Sequence, residues 1–156
     1  MLQYTIPGYG ELNLTHLVMD YNGTLAVDGA LIPGVKDRLF ALSDKVALHV
    51  ITADTFGLAQ TSLAEIPVQL DILAPENQDT AKLHYVRRLG AEHTVAMGNG
   101  RNDRFMLNAA ALGIALVLSE GAAAATLAAA DIVCTGVKDA LDLLLNPKRL
   151  TATLRC

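Results

Sequence analysis

Four short stretches of this sequence end or follow an apolar run with residues able to do polar chemistry. The first is Met19-Asp20-Tyr21-Asn22-Gly23-Thr24, where Asp20 closes the run Leu17-Val18-Met19. A carboxylate at the end of a buried strand, with a conformationally free glycine close behind, fills a core poorly but holds a nucleophile well at the rim of a sheet. An Asx-turn or a helix cap is the plainer use of the same residues. The second stretch is Ile51-Thr52-Ala53-Asp54. Its Thr52 hydroxyl can donate to a phosphoryl oxygen, although Thr and Asp at a strand–helix junction also make ordinary N-caps. The third is Lys82, downstream of Pro75. An isolated lysine is commonly solvated, but its ammonium can also act as a point charge that holds phosphate and stabilises an anionic nucleophile.

The fourth stretch is Met97-Gly98-Asn99-Gly100-Arg101-Asn102-Asp103. Two glycines around Asn99 let the backbone approach a ligand closely, and Asn99, Asn102 and Asp103 crowd the same rim. Mg²⁺ takes near-octahedral oxygen ligands from one or two carboxylates plus water and phosphate. Asp20 and Asp103 could supply those carboxylates. Each signal is weak alone; their order, spread over successive strand ends, is not.

The elements that must position these residues follow from apolar periodicity. Runs over 17–19, 46–51, 68–73, 94–97, 113–118 and 132–134 are mostly continuous, as in parallel strands covered on both faces. Segments over 35–42, 56–64, 80–89, 102–111, 122–129 and 137–145 read as helices, with Gly90 closing the third and Asn146-Pro147 stopping the last. Six strand–helix alternations predict an α/β fold with a doubly wound parallel sheet. Residues 2–16 precede it as a β-hairpin expected at the sheet edge, around Pro7-Gly8-Tyr9-Gly10. Ligands in such sheets bind beyond the C-terminal strand ends, near the switch in strand order.

Bulk properties narrow the function. The 156 residues are 52% hydrophobic but only 4% aromatic, so the positive mean hydropathy of +0.34 comes from Ala, Leu and Val. The Ala-rich run over 122–130 is interrupted by Thr126 and falls well short of the ~20 residues of a membrane span. No signal peptide is recognisable at the N-terminus. A net charge of −4 without a basic block argues against a nucleic-acid partner. Cys134 and Cys156 lack metal-ligand spacing. The expectation is a single domain over 1–156, cytoplasmic, with neither nucleic acid nor membrane as partner. No G-x-G-x-x-G follows the first core strand, which argues against dinucleotide binding.

In these motifs the chain resembles the haloacid-dehalogenase-like (HAD) superfamily. That superfamily's D-x-D-G-T, strand-end Thr or Ser, Lys and G-D-x-x-x-D or G-D-G-x-N-D motifs match Asp20 to Thr24, Thr52, Lys82 and Gly98 to Asp103. Within it the sequence is most similar to the phosphorylation domain of P-type ATPases. Thr52-Ala53-Asp54 resembles their T-G-D, and Ala111-Leu112-Gly113-Ile114-Ala115 and Ala129-Ala130-Asp131-Ile132-Val133 resemble their A-x-V-G-I-A and A-A-D-I-V segments. Membrane helices are missing, and the 27 residues between Thr24 and Thr52 leave room for a flap-like segment over 26–33 but for no nucleotide-binding domain or large cap. The resemblance implies a Rossmann-like HAD fold with a minimal cap, whose open site takes a sizeable phosphate ester or is covered by a second subunit in a homo-oligomer.

The resemblance also implies a reaction and its residues. Asp20 attacks a phosphoryl group in line and forms an aspartyl-phosphate that water hydrolyses. Thr52 and Lys82 hold phosphoryl oxygens, assisted by Ala53 and by the backbone N–H groups of Tyr21, Asn22, Gly23 and Thr24. The metal, Mg²⁺, falls to Asp20, the Asn22 carbonyl, Asn99 and Asp103, with Asn102 in support. Two departures stand out. Asn22 replaces the Asp that shuttles a proton, a loss worth ~10²–10⁴-fold in rate, and either Asp28 or Asp54 is the candidate substitute. Asn99 replaces an Asp near the metal and removes one negative charge. The expected function is therefore a slow Mg²⁺-dependent phosphatase acting on a phosphorylated substrate of unspecified identity. The alternative is a catalytically weak regulatory or phosphate- or partner-binding protein on the same fold.

Overall fold

The computed structural model describes residues 1–54 and 57–156. The chain begins with β1 (Leu2–Ile6) and β2 (Gly10–Leu14), then runs through β3 (His16–Met19), β4 (Ala26–Val27), β5 (Ala30–Leu31) and α1 (Val35–Ser43). β6 (Ala47–Thr52), α2 (Leu58–Leu63), β7 (Val68–Ile72), α3 (Gln78–Leu89), β8 (Thr94–Gly98) and α4 (Arg104–Ala109) follow. β9 (Leu112–Leu116), α5 (Ala124–Ala129), β10 (Ile132–Cys134), α6 (Val137–Leu145) and α7 (Pro147–Leu154) complete it. Phe56, the expected first residue of the second helix, lies outside the described residues.

The continuous apolar runs form the predicted parallel sheet, in the order β10-β9-β8-β3-β6-β7. All five residues of β8 and of β9 are buried, as two-sided cover demands. Leu17 and Met19 of β3 point into the larger core, beneath α1, α2 and α6, while Val18 meets Tyr85, Val86, Met106 and Leu107 from α3 and α4 on the opposite face. Chain order reverses at β3, which pairs with β6 on one side and β8 on the other, Met19 lying opposite both Val50 and Met97. This is the switch point at which open α/β sheets bind ligands.

Three expectations change. The N-terminal hairpin is a separate two-stranded sheet, not an edge of the main one: the chain passes from β2 directly into β3, which is central and paired on both sides, while the edges are β10 and β7. It buries Leu2, Tyr4, Ile6, Leu12 and Leu14 in the larger core, and the Tyr4 hydroxyl donates to the Leu144 carbonyl at 2.6 Å. Pro147, expected only to stop α6, also opens α7, since its fixed φ suits a first helical turn that needs no N–H. The basic stretch Lys148-Arg149 therefore lies on a helix anchored by the buried Leu150. Finally, the helix expected over 102–111 is divided into a 3₁₀ turn, Arg101–Asp103, and α4.

The flap-like segment is the antiparallel β4–β5 pair, closed by Asp28 (φ 50) and Gly29 (φ 80). Two consecutive positive φ values are what a tight hairpin turn of the right twist needs. The Tyr21 hydroxyl donates to the Gly29 carbonyl at 3.0 Å and ties this flap to the residue after Asp20.

Candidate active site

β3 delivers Asp20 to the sheet rim, where its N–H donates to the Met97 carbonyl at 3.0 Å and sets the ends of β3 and β8 level. Helix α3 crosses the same rim and brings Lys82 under it. The Lys82 ammonium donates to Asp20 Oδ1 at 2.7 Å and to Asp103 Oδ1 at 2.6 Å. Lys82 is 1% exposed and Asp103 0%, whereas the Asp20 side chain keeps 13% of its surface open to solvent. Two carboxylates and one ammonium, largely desolvated, leave one net negative charge. Burial and the nearby Asp103 carboxylate push the Asp20 carboxyl up to about 7, against the opposing pull of Lys82 and of the Tyr21 N–H. Desolvation alone would lower Lys82, but Asp20 and Asp103 outweigh it and raise its pKa, so the lysine stays charged.

Asp103 reaches this position because Gly98 has no side chain. A Cβ there would collide with the Asp103 carboxylate carbon and lie 2.5 Å from Oδ2. Asp103 Oδ2 accepts the Asn99 N–H at 3.0 Å and the Gly100 N–H at 2.9 Å, which folds the β8 loop around it. Asp103, expected as a metal ligand, is buried, with Oδ1 on the Lys82 ammonium and Oδ2 on the loop.

Asn99, also buried, donates from Nδ2 to the Gly121 carbonyl at 3.0 Å, and its Oδ1 receives the Thr24 hydroxyl at 3.4 Å. Asn102 donates to Gln78 Oε1 at 2.7 Å and bridges the β8 loop to the start of α3 beside a cleft of about 490 Å³. Asn22 is exposed and lines a cavity of about 340 Å³ with Asp28, Gly29, Leu58 and Glu120.

The Gly23 and Thr24 N–H groups, anticipated as phosphate donors, are used within their own loop, on the Ala26 carbonyl at 2.7 Å and the Tyr21 carbonyl at 3.2 Å. The Tyr21 N–H supports Asp20 itself. Thr52 is buried at the end of β6 and its Oγ1 accepts the Asp54 N–H at 3.3 Å; Ala53 is half-buried between them. Asp54, a candidate acid, accepts the Ala59 N–H at 3.0 Å and so serves the first turn of α2. Asp28 stays exposed at the flap tip, on the rim of the Asn22 cavity.

Sequence reasoning passed over two residues. Gln78, the partner of Asn102, lies one turn before Lys82, a position its i, i+4 spacing could have revealed. Glu120 lies in the turn after β9, beyond the strand neighbouring β8, and belongs to no motif. Among the described residues no three His, Cys, Asp or Glu side chains are grouped to hold a metal. Mg²⁺ needs no such cage when water and phosphate oxygens complete its shell. The donor set at this rim is all hard oxygen, with one Asp20 oxygen not engaged by Lys82, and fits that ion.

No protein-family model matches the chain. The uncharacterized protein MJ0073 of Methanocaldococcus jannaschii is 43% identical over 83 residues, which cover 51% of this chain and 89% of that protein. Among solved structures, a 3-deoxy-D-manno-octulosonate 8-phosphate phosphatase from Moraxella catarrhalis, in complex with magnesium, phosphate and KDO, superposes with a TM-score of 0.68 at 22% identity, over 91% of this chain and 94% of that one. The cobalt-bound enzyme of the same name from Haemophilus influenzae gives 0.67 at 18% identity, over 92% and 94%. The catalytic domain of the CPx-ATPase CopB-B gives 0.59 at 20% identity, over 75% of this chain and 46% of that one. No helix among the described residues is long and apolar enough to cross a membrane. The chain has the HAD superfamily fold, similar both to sugar-phosphate phosphatases and to a P-type ATPase catalytic domain, and belongs to one family with MJ0073.

Proposed function

We propose that this protein is a Mg²⁺-dependent phosphohydrolase that works through an aspartyl-phosphate on Asp20. The observation that carries the proposal is the convergence of Asp20, Lys82 and Asp103 at the β3–β8 switch point, with Asp20 alone of the three open to solvent. Lys82 holds Asp20 in place and favours its ionised form, ready to attack phosphorus in line. Asp103 positions Lys82 and the β8 loop. Thr52, at the end of the neighbouring strand, and Lys82 receive phosphoryl oxygens. Asp20, the Asn22 carbonyl and Asn99 would hold Mg²⁺, which offsets repulsion between the carboxylate and a dianionic phosphoryl group.

Asn22 orients but carries no titratable proton, so turnover is slow or depends on a good leaving group. The substrate is a phosphorylated small molecule or a larger ester reaching an open site, which a second copy of the chain could cover. A single domain working in a reducing, cytoplasmic compartment suits the two free cysteines, Cys134 and Cys156.

The second reading, a regulatory or phosphate-binding protein of low activity, draws on Asn99, whose amide is already committed to Gly121. Phosphatase assays with aryl and acyl phosphates, with and without Mg²⁺, separate the two. Under the enzyme reading wild type hydrolyses acyl or aryl phosphate only with Mg²⁺, Asp20→Asn is inactive, and Asn22→Asp turns over esters faster. Absence of Mg²⁺-dependent hydrolysis and of a trapped beryllofluoride adduct would overturn the enzyme reading and favour the binding role.

A further inference from the structure

Asn99 stands where the resembling family carries a carboxylate, and its substitution does more than delete a charge. A carboxamide has an NH₂ donor that an Asp lacks. Here that donor is spent on the Gly121 carbonyl at 3.0 Å, while the Asn99 carbonyl accepts the Ala123 N–H at 2.9 Å. Side chain and main chain of one residue thus clamp the C-terminal end of the turn that follows β9. The turn is closed by the Gly121 N–H on the Leu118 carbonyl at 2.9 Å, and Gly121 takes φ 72. Residue 120 is thereby turned toward the first motif. Gly23 has no side chain to obstruct it: a Cβ at that position would collide with Asn99 Nδ2 and lie 2.5 Å from Glu120 Oε2. Glu120 is exposed, and with Asn22 and the flap residues Asp28 and Gly29 it lines the cavity of about 340 Å³.

We infer that Glu120 is the displaced carboxylate of the cation site, set beside Asn22 and Asn99 by a turn that the Asn99 amide docks. The inference rests on the Mg²⁺-dependent reading above and adds a residue to it. The site keeps its negative charge, but draws it from the loop after β9 instead of from the loop after β8. A hard carboxylate oxygen suits Mg²⁺ or Mn²⁺, bound directly or through water.

Cation affinity, measured without substrate, tests this. Mn²⁺ binding is followed by electron paramagnetic resonance and Mg²⁺ binding by calorimetry on wild type, Glu120→Gln, Asn99→Asp, and Asn99→Asp with Glu120→Gln. The expected result is a loss of about 10- to 100-fold in affinity for Glu120→Gln, the scale on which supporting ligand groups act. The double variant should recover most of that loss, because the carboxylate is returned to position 99. Circular dichroism confirms folding of each variant, and Glu120→Gln alters only an exposed side chain. Wild-type binding with an unchanged affinity in Glu120→Gln would overturn the Glu120 assignment and leave the phosphohydrolase reading intact. Failure of wild type to bind either cation would overturn both.

Discussion

Replacing Lys82 with methionine tests the electrostatic logic of the site most directly. The side chain is 1% exposed and bridges Asp20 and Asp103 at 2.7 and 2.6 Å. Methionine matches much of its length, so little packing is lost, but two carboxylates remain, one of them fully buried. Removing one partner from a buried ion pair costs about 3–5 kcal/mol, because the remaining charge keeps its desolvation penalty. For a domain of this size that is a fall of roughly 6–20 °C in Tm. An exposed pair would be worth at most about 1 kcal/mol. Urea and thermal unfolding in EDTA provide the measurement. The deficit should be larger at pH 8 than at pH 5: burial and Asp103 already push the Asp20 carboxyl up to about 7, and without the ammonium it holds its proton more tightly still, so acid favours the native state. Adding Asp20→Asn to Lys82→Met should recover part of the loss by removing one of the opposed charges. A single variant within 1 kcal/mol of wild type at pH 8 would refute the buried triad.

Other outcomes follow from the same geometry. In the cation-free protein Asp20 titrates near 7 instead of at its ordinary 3.8, so its contribution to stability is present below about pH 4 and lost as pH rises through 7. Asp20→Asn should therefore be inactive yet gain stability relative to wild type at pH 8 over pH 5, read from urea midpoints in EDTA. Gly98→Ala should destabilise by about 1–3 kcal/mol and abolish hydrolysis, because its methyl group displaces the Asp103 carboxylate; equal denaturation midpoints would contradict this. His16 Nδ1 meets His49 Nε2 at 3.1 Å, and His49 Nδ1 meets the Tyr85 hydroxyl at 3.0 Å. Burial, with repulsion from neighbouring histidines, lowers both imidazoles below their ordinary 6.5. Their stabilisation is intact above pH 6.5 and lost as pH falls, so His16→Gln should flatten the acid limb of a pH–stability curve.

The strand ends were legible because polar residues interrupt otherwise continuous apolar runs, and a parallel sheet has one rim to which all such residues must go. Asp20, Thr52 and the β8 loop follow from that rim without distances, and Lys82 from the helix that succeeds the third apolar run. It leaves unresolved which carboxylate faces solvent, since burial of Asp103 depends on Gly98 and on α3 approaching from another part of the chain. His49 is legible as a satisfied core histidine, buried with both ring nitrogens partnered. Asn146-Pro147 marked a helix end correctly but concealed a helix start, because proline's missing N–H is costly inside a helix and harmless at its first turn. The hairpin's alternation announced two strands and one buried face, yet alternation carries no information about which edge, if any, it joins. Glu120 had no local signal at all: its proximity to Gly23 exists only through the Asn99 clamp.

The tie between Tyr21 and Gly29 makes the residue following Asp20 the mooring post of the flap. That hydrogen bond joins the hairpin tip to the backbone beside Asp20 through a single phenol ring. Exposed Ala30, next to Gly29 in that hairpin, is therefore a natural place for a spectroscopic label, whose response would test whether the proposed phosphorylation of Asp20 reaches the flap.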